Sequence, residues 1–165
     1  MTQTAHQSLA DLNHIHRQLD ELFQQHQLAV LHEDFPLAVK LLAQFEKGLF
    51  WHMREEEEIL MPLYREGAAN ILGGDPDIFL GEHKKISEWI NRLKVRLQRL
   101  STSPDSKAVL ALLDDEAPFK KYMEHHALRE DRVFYPELDR VVGEKNKPPL
   151  LRLLTFSLEE MTETA

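Results

Sequence analysis

The 165-residue chain contains no cysteine. Disulfides, thiolate zinc sites, iron–sulfur clusters and cysteine nucleophiles are therefore excluded, and the composition suits a reducing compartment. No apolar run approaches the roughly 20 residues that a membrane helix needs. The first residues, "MTQTAHQSLADLNHIHRQ", lack the basic start and apolar stretch of a signal peptide. Positive charge is also in deficit, with 20 Lys and Arg against 28 Asp and Glu, a formal net charge of −8. Proteins that grip a nucleic-acid backbone carry basic patches. These absences predict a cytoplasmic protein with no membrane and no nucleic-acid partner.

Glycine is scarce as well, six residues in all, so breaks between elements are few. The apolar positions recur at helical spacing almost throughout. The predicted first helix runs from about Ser8 to Leu31, with Leu9, Leu12, Leu19, Leu22, Phe23 and Val30 inward. The second starts near Pro36, a good first-turn residue, and continues to about Tyr64. "EGAANILGGDPD" is a connection. The third helix spans about Asp77 to Leu100, and "STSPDS" supplies a loop with helix-capping residues. The fourth spans about Lys107 to Val142, with a kink expected near Pro118. A short last helix, about 149–161, carries Leu150, Leu151, Leu154, Leu158 and Met161 on one stripe. It is read as packing on the bundle, with a homodimer contact as the alternative. The fold class is all-α: one domain over 1–165, an up-down-up-down four-helix bundle over about 8–142 with an additional C-terminal helix.

What is abundant is histidine, nine residues in all. Their placement follows an internal repeat. "HMREEEEILMP" (52–62) and "HALREDRVFYP" (126–136) both carry histidine, an acid four residues on, another acid at five and proline at ten. "HRQLDELF", beginning at His16, and "HKKISEWI", beginning at His83, form a second pair with matched apolar positions. Each half of the chain is thus a helical hairpin bearing His and then His-x-x-x-Glu. At about 100° per residue, an acid at i+4 lies about 40° from its histidine and one at i+5 about 140° away. Glu56 therefore shares a face with His52, and Glu130 with His126. Glu57 and Glu58 are read as solvated, and Glu55 as a rim residue at most.

That shared face is apolar, so the repeat aims His16, His52, His83, His126, Glu56 and Glu130 at one level of the interior. Buried carboxylates need cations. No Lys or Arg sits on these stripes, which leaves metal ions. Imidazole and carboxylate donors without thiolate suit iron, manganese or zinc. Two bridging carboxylates and four terminal histidines would hold two metals, each with open positions for a small ligand. The other histidines receive no role: His6 near the terminus, His26 and His32 near the end of helix one, and His125 beside His126. His14 is kept as a rival only if helix one is rotated, and Asp131, at i+5, points elsewhere. Tyr122 and Tyr135, near these ligands, are read as packing residues with solvated hydroxyls, with a role as hydrogen-bond donors or radical sites as the alternative.

The two His-x-x-x-Glu-and-proline units, with the histidines of "HIHRQL" and "EHKKI" before them, resemble the hemerythrin-like family, also called the HHE cation-binding domain. The likeness covers about residues 8–142. It implies a non-haem di-iron centre, oxo- or hydroxo-bridged, with ligands at His16, His52, Glu56, His83, His126 and Glu130. It also implies a small diatomic partner, oxygen or nitric oxide. Phe79 and Ser87 stand where the oxygen carriers have a second histidine on the third helix. The four-histidine, two-glutamate set is more similar to that of iron-centre repair proteins and iron-sensing hemerythrin domains. The function expected is binding or sensing of iron, oxygen or nitric oxide; the alternative is a redox enzyme acting on nitric oxide or peroxide, or an iron-centre repair protein.

Overall fold

The computed structural model describes residues 8–163. His6 lies outside them. A short 3-10 turn, Leu9–Leu12, leads into α1, Asn13–Leu31. Next come α2, Phe35–Glu55, and α3, Met61–Gly67, joined by a single π-helical turn at Glu56–Leu60. The second half repeats the plan. Here α4 is Pro76–Thr102 and α5 is Ser106–Arg129, and a second π-helical turn at Glu130–Phe134 leads to α6, Tyr135–Leu151. A last element, α7, covers Leu158–Glu163. No strand occurs among the described residues.

The sequence explains where these helices begin. Asp34, Asp75 and Asp105 each accept a hydrogen bond from a backbone amide in the following first turn, the favoured N-cap arrangement. Pro36 and Pro76 occupy first-turn positions where no amide is needed. Pro118 lies inside α5, which continues past it, so the expected kink does not divide that helix.

Helices α1, α2, α4 and α5 pack in a closed ring: α1 on α2, α2 on α4, α4 on α5, and α5 back on α1. Two aromatic layers fill the interior. Phe23, Phe45 and Phe119 form one, with Phe23 centroids 4.9 and 5.3 Å from the other two rings. Tyr64, Phe79, Phe134 and Tyr135 form the other, with neighbouring centroids 4.9–6.0 Å apart. Along α2 and α5 the repeated His-x-x-x-Glu units fall between these layers.

The end of the chain differs from the expected helix at 149–161. Gly143 leaves the helical region at φ 67° and ψ 160°, a conformation glycine adopts readily. Helical turns then resume to Leu151 and stop again before α7. The apolar stripe is turned onto its own bundle: Leu150, Leu151, Leu154 and Met161 are buried and Leu158 is half-buried. Leu158 lies directly over Gly48 of α2, where any side chain would collide with it. The segment is tied to the bundle by the Thr155 amide, which donates to Glu55, and the Leu158 amide, which donates to Gln18 Oε1 at 3.0 Å.

Candidate metal centre

The two π-helical turns sit at the two repeated prolines. In an α-helix Pro62 would have to donate to Glu58, and Pro136 to Arg132; proline has no N–H and its ring collides with that carbonyl. The backbone widens instead. The Met61 amide donates to the Glu56 carbonyl and the Tyr135 amide to the Glu130 carbonyl, five residues back in each case. Single π turns inside α-helices gather at functional sites. Here each one begins at the glutamate of a His-x-x-x-Glu unit. The proline at ten does not stop the helix; the helix widens there, beside the centre.

All six residues singled out by the repeat meet at one level of the bundle. His52, Glu56, His83, His126 and Glu130 are buried and His16 is nearly so. They form two overlapping groups, His16, His52, Glu56 and Glu130 on one side and Glu56, His83, His126 and Glu130 on the other. Within each group the donor atoms lie within 4.8 Å of one another. The two histidine pairs are near copies in geometry. His16 and His52 meet edge-on at 5.0 Å and 74°, His83 and His126 at 4.9 Å and 79°.

Each glutamate is shared, one oxygen to each side. Glu56 Oε1 is 3.3 Å from His52 Nε2, and its Oε2 is 3.4 Å from His83 Nε2. Glu130 Oε2 is 3.0 Å from His16 Nε2, and its Oε1 is 2.8 Å from His126 Nε2. That is the disposition of a carboxylate bridging two cations. Several of these close contacts are not aligned as hydrogen bonds. Glu56 Oε2, Glu130 Oε2 and His16 Nδ1 are buried without a hydrogen-bond partner, and the Nε2 atoms of His16 and His52 hydrogen-bond to each other at 3.0 Å rather than to the carboxylates. Buried polar atoms left this way are costly in a protein without a compensating cation. The donor set, its burial and its misaligned contacts all fit a pair of metal ions.

The charge balance points the same way. Burial works against charge on His83, but the Glu130, Glu56 and Glu57 carboxylates around it outweigh burial and push the imidazole up to about 12. Burial is likewise overcome at His126 by the Glu130 and Glu82 carboxylates, which raise it to about 9. His16 is raised against burial chiefly by Glu130. In His52 burial prevails and lowers it. Burial would raise Glu130, yet the histidines around it hold its carboxyl well below the usual range. The centre therefore demands positive charge, which protons or metal cations can supply.

Other neighbours depart from expectation. Glu57 is not simply solvated, because His83 Nδ1–H donates to its Oε1 at 2.8 Å. Glu82 was given no role, yet it accepts from His126 Nδ1–H at 2.9 Å and from Arg129 Nε at 2.9 Å. Glu55 is buried away from the centre, where it accepts from Trp51 Nε1 and the Thr155 amide. Tyr135 is fully buried, not wet; its hydroxyl donates to Glu56 Oε1 at 2.5 Å. Asp131 lies outside the ring of donors, with Oδ1 3.8 Å from His16 Nδ1. His14, His32 and His125 are exposed. His26 is fully buried far from the centre, against Glu116.

A four-helix bundle with two histidine pairs around two shared glutamates presents the kind of core donor set that helical bundles use to hold metal ions. The sequence model of the hemerythrin HHE cation-binding domain matches residues 7–136, and the chain belongs to that family. Neither the curated proteins nor the solved structures provide a match.

Proposed function

We propose that this chain binds two iron ions at His16, His52, His83, His126, Glu56 and Glu130 and uses the centre to bind or sense oxygen or nitric oxide. The observation that carries the reading is the sharing of Glu56 and Glu130, each with one oxygen toward each histidine pair. Iron bound there would supply an open coordination position for a small ligand. The residues around it exclude water, hold the imidazole rings and set the charge. Histidine and carboxylate donors also accommodate manganese or zinc, and family membership alone assigns a cation, not an element. No helix among the described residues is long and apolar enough to cross a membrane. A cytoplasmic setting is part of the proposal, since a cysteine-free chain suits a reducing compartment.

Elemental analysis after iron-replete expression tests the proposal, together with absorption spectra in air and under anaerobic nitric oxide. Two irons per chain and a spectrum altered by either gas support it. Fewer than one metal per chain would refute it. The buried Tyr135 hydroxyl on Glu56 favours one second reading, a redox enzyme acting on nitric oxide or peroxide. Consumption of peroxide by the iron-loaded protein, lost in Tyr135→Phe, would establish that reading.

A further inference from the structure

The two histidine pairs are matched on their inner side and unmatched on their outer side. An imidazole that binds metal through Nε2 has Nδ1 left over. What Nδ1–H donates to decides how firmly the ring is oriented and how basic the metal-facing nitrogen is. Around His83 and His126 both outer nitrogens have carboxylates. His83 Nδ1 meets Glu57 at 2.8 Å, and His126 Nδ1 meets Glu82 at 2.9 Å. Glu82 is itself held by Arg129, which donates to its second oxygen. Around His16 and His52 neither outer nitrogen has a carboxylate in hydrogen-bonding range. His16 Nδ1 is buried without a hydrogen bond, and Asp131 Oδ1, 3.8 Å away, is also unpaired. Among the described residues no carboxylate stands within ion-pair distance of His52 Nδ1.

The inner side adds a second asymmetry. Tyr135 donates to Oε1 of Glu56, the oxygen on the His52 side, and its hydroxyl is 3.4 Å from His52 Nε2. A hydrogen bond to a carboxylate oxygen draws electron density from it, so Glu56 Oε1 becomes a weaker ligand for a metal on the His16–His52 side. Its Oε2, toward His83, carries no such bond. The Tyr135 ring also stacks on His16, centroids 6.0 Å apart at 24°.

We infer that the two metal positions are unequal: Glu57 and Glu82 make the His83–His126 position the tight one, and the His16–His52 position beneath Tyr135 is the exchangeable one. Glu57 and Glu82 act as positioning residues, through the histidines. Losing one such outer partner typically costs about 10–100-fold in metal affinity. With two carboxylate partners on one side and no carboxylate in hydrogen-bonding range on the other, the two binding steps should differ by about 100-fold or more. The inference rests on the dinuclear reading above.

The test is anaerobic titration of the full chain, stripped of metal by chelator, with ferrous iron alone, reading bound metal by equilibrium dialysis and elemental analysis. Two steps are expected, one equivalent tight and one weak. His126→Ala should remove the tight step, and His16→Ala should remove the weak step only. Glu57→Gln and Glu82→Gln keep side-chain size and should each weaken the first step about 10–100-fold while moving the second only a few-fold. A general loss of packing would weaken both steps alike. Tyr135→Phe should tighten the second step. Glu57 is half exposed, so its variant reports even if Glu82→Gln folds poorly. Two equivalents binding in one indistinguishable step, a tight step lost in His16→Ala, or equal weakening of both steps by Glu57→Gln would each overturn the inference and leave the dinuclear reading standing. Absence of any binding would overturn the dinuclear reading and, with it, this inference.

Discussion

Replacing Glu116 with leucine would strand His26 inside the bundle. Both side chains are fully buried. His26 Nδ1–H donates to the Ala38 carbonyl at 2.9 Å, and Nε2 shares a hydrogen with Glu116 Oε1 at 2.7 Å. Gln27 Nε2 donates to the other Glu116 oxygen at 3.2 Å. The pair joins α1, the start of α2 and the middle of α5, beside the Phe23 ring, whose centroid lies 5.3 Å from that of His26. Removing one partner of a buried pair costs about 3–5 kcal/mol, because the other polar group loses its partner and gains no water. For a chain of this length that corresponds to a fall of roughly 6–20 °C in Tm. The double variant His26→Leu/Glu116→Leu removes both polar groups and keeps volume, and should recover most of that loss. Urea unfolding of wild type, both single variants and the double variant, all stripped of metal, closes the cycle. A loss below about 1 kcal/mol in Glu116→Leu would refute the reasoning. A double variant less stable than either single would do so as well.

Three further expectations follow from the site and the chain end. His126 is raised from its ordinary 6.5 to about 9 and His83 to about 12. Their protonation therefore stabilises the metal-free fold fully below pH 6.5, and that contribution is lost as pH rises through about 9 and on toward 12. Thermal melts from pH 6 to pH 10 should show Tm falling in stripped protein; a flat or rising Tm would contradict the assignment. Metal that binds only the folded chain adds about 2.7 kcal/mol per ion at a hundredfold excess over its Kd. Chelation should lower Tm, and an unchanged Tm would point to a purely structural cluster. Gly48→Leu forces a side chain into the space of Leu158 and should cost about 1–3 kcal/mol. It should also release the chain after Leu151 to limited proteolysis, and an unchanged cleavage rate would count against the packing of α7 described above.

The bundle was legible because its apolar positions keep a helical period across four long segments. The six central residues were legible for a different reason. A duplicated His-x-x-x-Glu with proline at a matched offset separates shared positions from incidental ones, so Glu56 stands out from a run of four glutamates. What surrounds those residues was not legible. Glu82 is next to His83 in sequence but serves His126, on another helix. Glu57 points away from His52, as the helical angle requires, and that direction carries it to the outer face of His83. No periodicity within one helix encodes such cross-helix pairs. His26 and Glu116 are 90 residues apart and share no motif. The prolines were visible, but only the neighbouring amides, bonded five residues back, show that the helix widens and continues there. The apolar stripe near the end predicted burial correctly, and the non-helical Gly143 and the turn after Leu151 set boundaries that the stripe could not.

The central claim is that six side chains hold two metals with both glutamates shared. Crystals of the iron-loaded chain, measured with X-rays on either side of the iron absorption edge, test it most directly. The account predicts two anomalous peaks in the bundle interior, one beside His16 and His52 and one beside His83 and His126, with Glu56 and Glu130 each touching both. A single peak in crystals grown with saturating iron, or two peaks that share neither glutamate, would contradict it.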